Sequence, residues 1–140
     1  MGKLFTITGT SPAAAGTAAL TQIAAGPVFA NATQLHIVAE LVGATGGTLN
    51  VYLQWSPDDG TTWYDYTAFT QLAAGAAAVK YRVTSDVAQN TISTVGKGTS
   101  PALSAGTHVG GPWGTQMRVL CVAGASTSAG AAITVNIWAK

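Results

Sequence analysis

At 140 residues, with charged side chains making up 8% of the chain and a formal net charge of +1, this sequence has the length of one domain and an almost uncharged composition. An ordinary soluble domain carries about 25% charged residues, and the cations here (Lys3, Lys80, Arg82, Lys97, Arg118 and Lys140) are scattered, which excludes the clustered footprint a nucleic-acid binder needs. Cys121 is the lone cysteine, which excludes an intrachain disulfide framework, and Gly16, Thr17, Thr21, Gln22, Gly26 and Pro27 interrupt the longest apolar-leaning stretch, which excludes a membrane-spanning helix there.

Period-two alternation sets the reading along the chain. Residues 4–8, 19–24 and 27–29 are weak strand candidates. Leu35, Ile37, Ala39 and Leu41 then alternate with Gln34, His36, Val38 and Glu40, as a half-buried strand requires. Leu49, Val51, Leu53 and Trp55 alternate in the same way with Thr48, Asn50, Tyr52 and Gln54, and Gly43, Gly46 and Gly47 supply the turn between the two. Trp63, Tyr64, Tyr66 and Phe69 mark a third clear strand; Val79, Tyr81 and Val83 mark a fourth. The Ala-rich stretch 73–78 is too short and too Gly-interrupted for a helix.

Residues 90–115 break the alternation with five glycines before Trp113 and two prolines, and a loop of that length in a compact domain is expected to be functional or an interaction arm. Met117, Val119 and Cys121, and after them Ile133, Val135 and Ile137, read as core strands. His36 falls on the surface side of its strand. The expectation is an all-β chain, a single β-sandwich domain over residues 1–140. It has about 7–9 antiparallel strands and one long irregular loop, in a jelly-roll or immunoglobulin-like arrangement. The pentapeptide Gly-Thr-Ser-Pro-Ala occurs at 9–13 and again at 98–102, either by chance or as paired equivalent loops.

The densest chemistry lies in 55–66, which holds Asp58, Asp59 and Asp65 of the chain's five acids and four of its aromatics. Ser56, Asp58, Gly60, Thr62 and Trp63 fit the pattern S-x-D-x-G-x-T-W, which resembles the Asp-box of sialidases and many other β-proteins. That resemblance implies a hairpin turn in which Asp58 binds turn backbone, Gly60 takes a conformation closed to other residues and Trp63 packs beneath. A sialidase would need a propeller of about twenty-four strands and a cluster of arginines, whereas only Arg82 and Arg118 are present. The box therefore reads as a structural turn, with Asp59 and Asp65 solvated. Calcium at Asp58, Asp59 and Asp65 is the weaker alternative, since the spacing matches no EF-hand loop.

His36, His108 and Cys121 show no local signature of a nucleophile or a metal set, so no catalytic residue, metal or cofactor is expected, and Cys121 reads as core. Tyr52, Tyr64 and Tyr66 are placed together on one face of the 48–69 hairpin. With Trp113 and Trp138 they form the possible interface, while Tyr52, Trp63, Tyr64 and Tyr66 could alternatively stack against a sugar.

Size, low charge, Gly/Ala/Thr-rich strands, the lone thiol and the box hairpin together resemble a capsid decoration, or cement, protein of a tailed bacteriophage. The resemblance implies a structural virion protein, not an enzyme, on the outer capsid surface and assembled in the host cytoplasm. Its partners would be the major capsid protein and further copies of itself, as homodimer or homotrimer, with no nucleic acid and no membrane. Residues 2–32 and 90–115 would be the contacting arms. The alternative is a glycan-binding β-sandwich module of head-fibre or receptor-binding type.

Overall fold

The computed structural model describes residues 2–12, 15–20, 23–24, 31–42, 46–89, 92–124 and 131–140. Ten strands are formed among them: β1 (Lys3–Thr10), β2 (Gly16–Ala19), β3 (Ile23–Ala24), β4 (Gln34–Leu41), β5 (Leu49–Ser56), β6 (Tyr64–Ala68), β7 (Val79–Asp86), β8 (Thr107–His108), β9 (Gln116–Ala123) and β10 (Ala132–Ala139). The 27–29 candidate lies outside the described residues.

Two antiparallel sheets result. Sheet A has the order β1-β10-β4-β7; sheet B has the order β2-β9-β5-β6-β8, with β3 pairing β9 beyond β2. The pairings are nested: β1 with β10, β2 with β9, β4 with β7, and β5 with β6. The first half of the chain thus pairs with the second half in reverse order, and successive pairs fall in alternate sheets. A long hairpin wrapped over itself gives this pattern, which is the jelly roll and not the immunoglobulin arrangement.

Period-two strands facing one another build the core. Leu35, Ile37, Ala39 and Leu41 on β4, Ile133, Val135 and Ile137 on β10, Leu49, Val51 and Leu53 on β5, and Met117, Val119 and Cys121 on β9 are all buried in one cluster between the sheets. Burying each large aliphatic side chain there is worth about 1.5–3 kcal/mol. The edge strand β7 keeps Tyr81 and Val83 against this core and turns Lys80, Arg82, Thr84 and Asp86 to solvent.

Residues 92–115 do not project as an arm. Lys97 bridges to Tyr64, Asp65 N–H donates to Gly96 O, and Gly98 N–H donates to Trp63 O. Further along, Gly106 N–H donates to Ala68 O and Val109 N–H to Tyr66 O. The loop therefore runs along the edge of β6 and closes it. Trp63, Ala68, Leu103 and Leu120 are buried but stand apart from the central cluster. Leu120 and Ala68 both lie opposite Tyr52, whose neighbours Val51 and Leu53 face the core. They therefore belong to the outer face of sheet B, and the loop roofs it. The two pentapeptide copies are not equivalent: 9–10 ends β1, and 98–102 lies in this loop.

Candidate functional site

Ser56 ends β5, and the turn after it is held by side chains. Ser56 Oγ accepts from Gly60 N–H at 2.8 Å and donates to Asp58 Oδ1 at 2.9 Å, while Thr62 N–H donates to the same oxygen at 2.7 Å. Asp59 and Gly60 both take left-handed backbone angles, with φ of 53° and 88°, and a Cβ on Gly60 would come within 2.7 Å of Gln116 Oε1. Glycine's freedom is needed at that position. The hydrogen bonds from Thr62 hold the Asp58 carboxyl below the ordinary carboxylate value. Trp63 is 5% exposed, and the Arg118 guanidinium sits 4.6 Å from its ring centroid. Asp59 accepts from Thr115 Oγ1 at 2.6 Å, and Thr115 N–H donates to Ser56 O at 3.0 Å, which ties the turn to the chain entering β9.

Asp65, expected to be solvated, is 1% exposed. A bulge on β6 explains the difference. Leu53 faces Thr67 and Gln54 faces Asp65, so Tyr66 is the extra residue, and Asp65 shares the outer face with Gln54 beneath the loop. Asp65 Oδ2 accepts from the N–H groups of Gly96 (2.8 Å), Ala102 (2.8 Å) and Leu103 (3.0 Å), and Oδ1 accepts from Gln54 Nε2 at 2.9 Å. Gln54 Oε1 in turn accepts from Arg118 Nε at 2.9 Å, while Gly98 O accepts from Gln54 Nε2 at 3.0 Å and from Arg118 Nη2 at 2.9 Å. Burial lowers the Arg118 pKa. The carboxylates of Asp58 and Asp65 thus face N–H donors, the reverse of the environment a calcium ion requires.

On the inner side, Tyr66 OH hydrogen-bonds Ser85 Oγ across to β7 and donates to Gly111 O at 3.2 Å; burial pushes its pKa up to about 12. His108 stands edge-on to Tyr66 with ring centroids 5.0 Å apart, and its Nδ1 hydrogen-bonds Thr67 Oγ1 at 2.8 Å. Its Nε2 is buried without a partner among the described residues, and burial lowers its pKa. Burial also raises the Cys121 thiol to about 12, so no thiolate forms near neutrality. His36 is half-buried on the opposite sheet, 3.3 Å from Thr84 Oγ1.

The five possible interface residues do not converge. Tyr66 and Trp113, at 1% and 6% exposure, are core residues and offer no free surface, which corrects their placement at an interface. Tyr52 is half-buried on the outer face of sheet B, away from Tyr66, so the three tyrosines do not share one face. Its pKa is raised by burial and then by the charge of Asp65. Tyr64 lies opposite Trp55, with ring centroids 5.9 Å apart, in an open groove of about 470 Å³ lined also by Val95, Val109 and Pro112. Trp138 is half-buried on the outer face of sheet A, between Leu4 and His36.

The sequence reading missed Gln54, Arg118 and the Gly96–Leu103 amides as one network. A Gln and an Asp set among strand apolar residues were the available signal, but their partners lie up to 64 residues away. A Cβ on Gly96 would sit 2.3 Å from Ser100 O, so glycine there is what lets the loop fold under itself.

Fold and site together define a jelly-roll domain whose buried polar clusters hold its own backbone. No protein-family model matches the chain, and no curated protein does. Among solved structures it is similar to the infectious bursal disease virus VP2 subviral particle, at 13% identity and a TM-score of 0.47, covering 99% of this chain and 32% of that one. It is similar to the cowpea mosaic virus empty virus-like particle at 17% identity and 0.47, covering 100% and 80%. A third is broad bean stain virus, at 13% identity and 0.46, covering 100% and 86%. The chain spans about a third of the bursal disease virus chains it matches. With these TM-scores under 0.5, the similarity adds nothing to the fold already read from the strand order.

Proposed function

We propose that this chain is a structural virion protein, a single jelly-roll domain without enzymatic activity or cofactor. In this reading it decorates the outer surface of a tailed-phage capsid, assembles there in the host cytoplasm, and stabilises the shell by bridging neighbouring capsid subunits. The observation that carries the reading is the outer face of sheet A. Register places Leu4, Trp138, His36 and Thr84 in one row, Thr6, Asn136, Val38 and Arg82 in the next, and Thr8, Thr134, Glu40 and Lys80 in a third. Short uncharged side chains dominate, and the charges gather toward β7, where Lys80 and Glu40 pair at 3.9 Å.

Four strands of eight residues cover about 500 Å², of the order of the ~800 Å² per partner in a standard interface. Repeated around a shell, even a modest contact of this kind accumulates. Co-sedimentation with assembled capsids of the parent phage tests the idea. Wild type is expected to pellet with particles, and Asn136→Arg with Val38→Glu to stay in the supernatant while unfolding at the wild-type temperature. Failure of the wild-type protein to bind particles would overturn the proposal.

A glycan-binding module is the second reading, favoured by the Trp55–Tyr64 groove alone, because Trp63 and Tyr66 are buried. Quenching of tryptophan fluorescence by a defined oligosaccharide, lost in Tyr64→Ala, would move the assignment there.

A further inference from the structure

Among the described residues the sandwich has four sheet edges, and three of them are guarded. On sheet B the loop closes the β6 edge, and the opposite edge is formed by β2 and β3, only four and two residues long. On sheet A, β7 carries Lys80, Arg82 and Asp86 along its exposed side, and charges on an edge strand discourage pairing. The remaining edge is β1. It is eight residues long, pairs only with β10 among the described strands, and after Lys3 reads Leu-Phe-Thr-Ile-Thr-Gly-Thr, with no charge and no proline.

The direction of its free hydrogen-bonding groups follows from register. Ser11 N–H donates to Ala131 O, so Lys3, Phe5, Ile7 and Gly9 also turn their backbone groups toward β10. Leu4, Thr6, Thr8 and Thr10 therefore present N–H and C=O along the open side, and all are exposed. We infer that β1 pairs antiparallel with β1 of a second copy about a two-fold axis at Ile7. Leu4 then meets the partner's Thr10, Thr6 meets the partner's Thr8, and sheet A runs continuously through both copies. This register uses every open group of the strand, and the threonines pair with one another across the axis. A second copy is the occupant the edge fits, because its own β1 offers the same uncharged row in complementary register. The inference is independent of the capsid reading, since such a dimer forms in solution with or without a shell.

Light scattering coupled to size exclusion tests it on the full chain. Wild type is expected at twice the 14.0 kDa chain mass. Thr8→Pro removes an open-edge N–H while leaving the β10 ladder intact, and is expected at the monomer mass. Thr6→Glu with Thr8→Glu sets like charges opposite each other across the axis and gives the same result if the proline variant misfolds. Thr84→Pro, the equivalent change on the β7 edge, leaves the dimer intact. A monomeric wild type at about 100 µM, well above a micromolar Kd, overturns the inference. So does a dimer that survives both β1 variants.

Discussion

Replacing Asp65 by Asn keeps the shape of the side chain and removes one of its two acceptors. The three amides of Gly96, Ala102 and Leu103 converge on Oδ2, so the Asn carbonyl must stay there, and its NH₂ then faces Gln54 Nε2. Flipping Gln54 to relieve that clash turns its NH₂ toward Arg118 Nε, which now donates to Oε1. One donor is opposed by another in either arrangement. A buried donor left unsatisfied costs about 1–3 kcal/mol, which places Asp65→Asn about 2–3 kcal/mol below wild type. Asp65→Ala strands all four donors; water reaching the freed loop limits the loss to about 3–5 kcal/mol. In a chain of this size about 3 °C of Tm accompanies each kcal/mol, so the alanine variant is expected to melt about 10–15 °C lower. Thermal unfolding by circular dichroism reads the total, and hydrogen exchange at Gly96, Ala102 and Leu103 reads the mechanism. Asp58→Ala, on an exposed turn, is expected to lower Tm by less than either. An Asp65→Asn protein with wild-type Tm and wild-type protection at those three amides would refute the reasoning.

Stability is expected to depend on His108 as pH falls. Burial depresses its folded pKa below the ordinary 6.5, so the unfolded chain binds the proton more readily. Its contribution is complete above pH 6.5 and is lost as pH drops from there through the folded pKa. His108→Gln should flatten that part of a Tm-versus-pH curve between pH 7 and pH 5; an unchanged curve would show that the imidazole is not desolvated. Cys121, fully buried with its pKa pushed up to about 12, should resist iodoacetamide at pH 8 in the native protein and react once unfolded. Rapid native alkylation, followed by mass spectrometry, would show that the core opens around it.

Much of the fold was legible because a strand writes its buried face in every second residue. Leu35, Ile37, Ala39 and Leu41 are buried as their alternation requires, and Ser56, Asp58 and Gly60 lie close enough together for a turn to be read locally. Tyr66 shows where that logic ends. The same alternation that groups it with Tyr52 fails at one extra residue in β6, because a bulge is a mismatch between two strands and is written in neither alone.

Apart from the face switch at the β6 bulge, the sequence by itself determined the strand faces, the uncharged surface and the box turn, since each depends on residues only a few positions apart. The tertiary structure alone decided the rest. It selected the jelly roll over the immunoglobulin arrangement, since that depends on β1 finding β10, with Thr6 and Asn136 separated by 130 positions. It also turned Asp65 from a solvated acid into the anchor of a loop, because the amides that hold it arrive 31 to 38 residues later. Burial of a polar group is set by whatever comes to cover it, and local pattern carries no record of the cover.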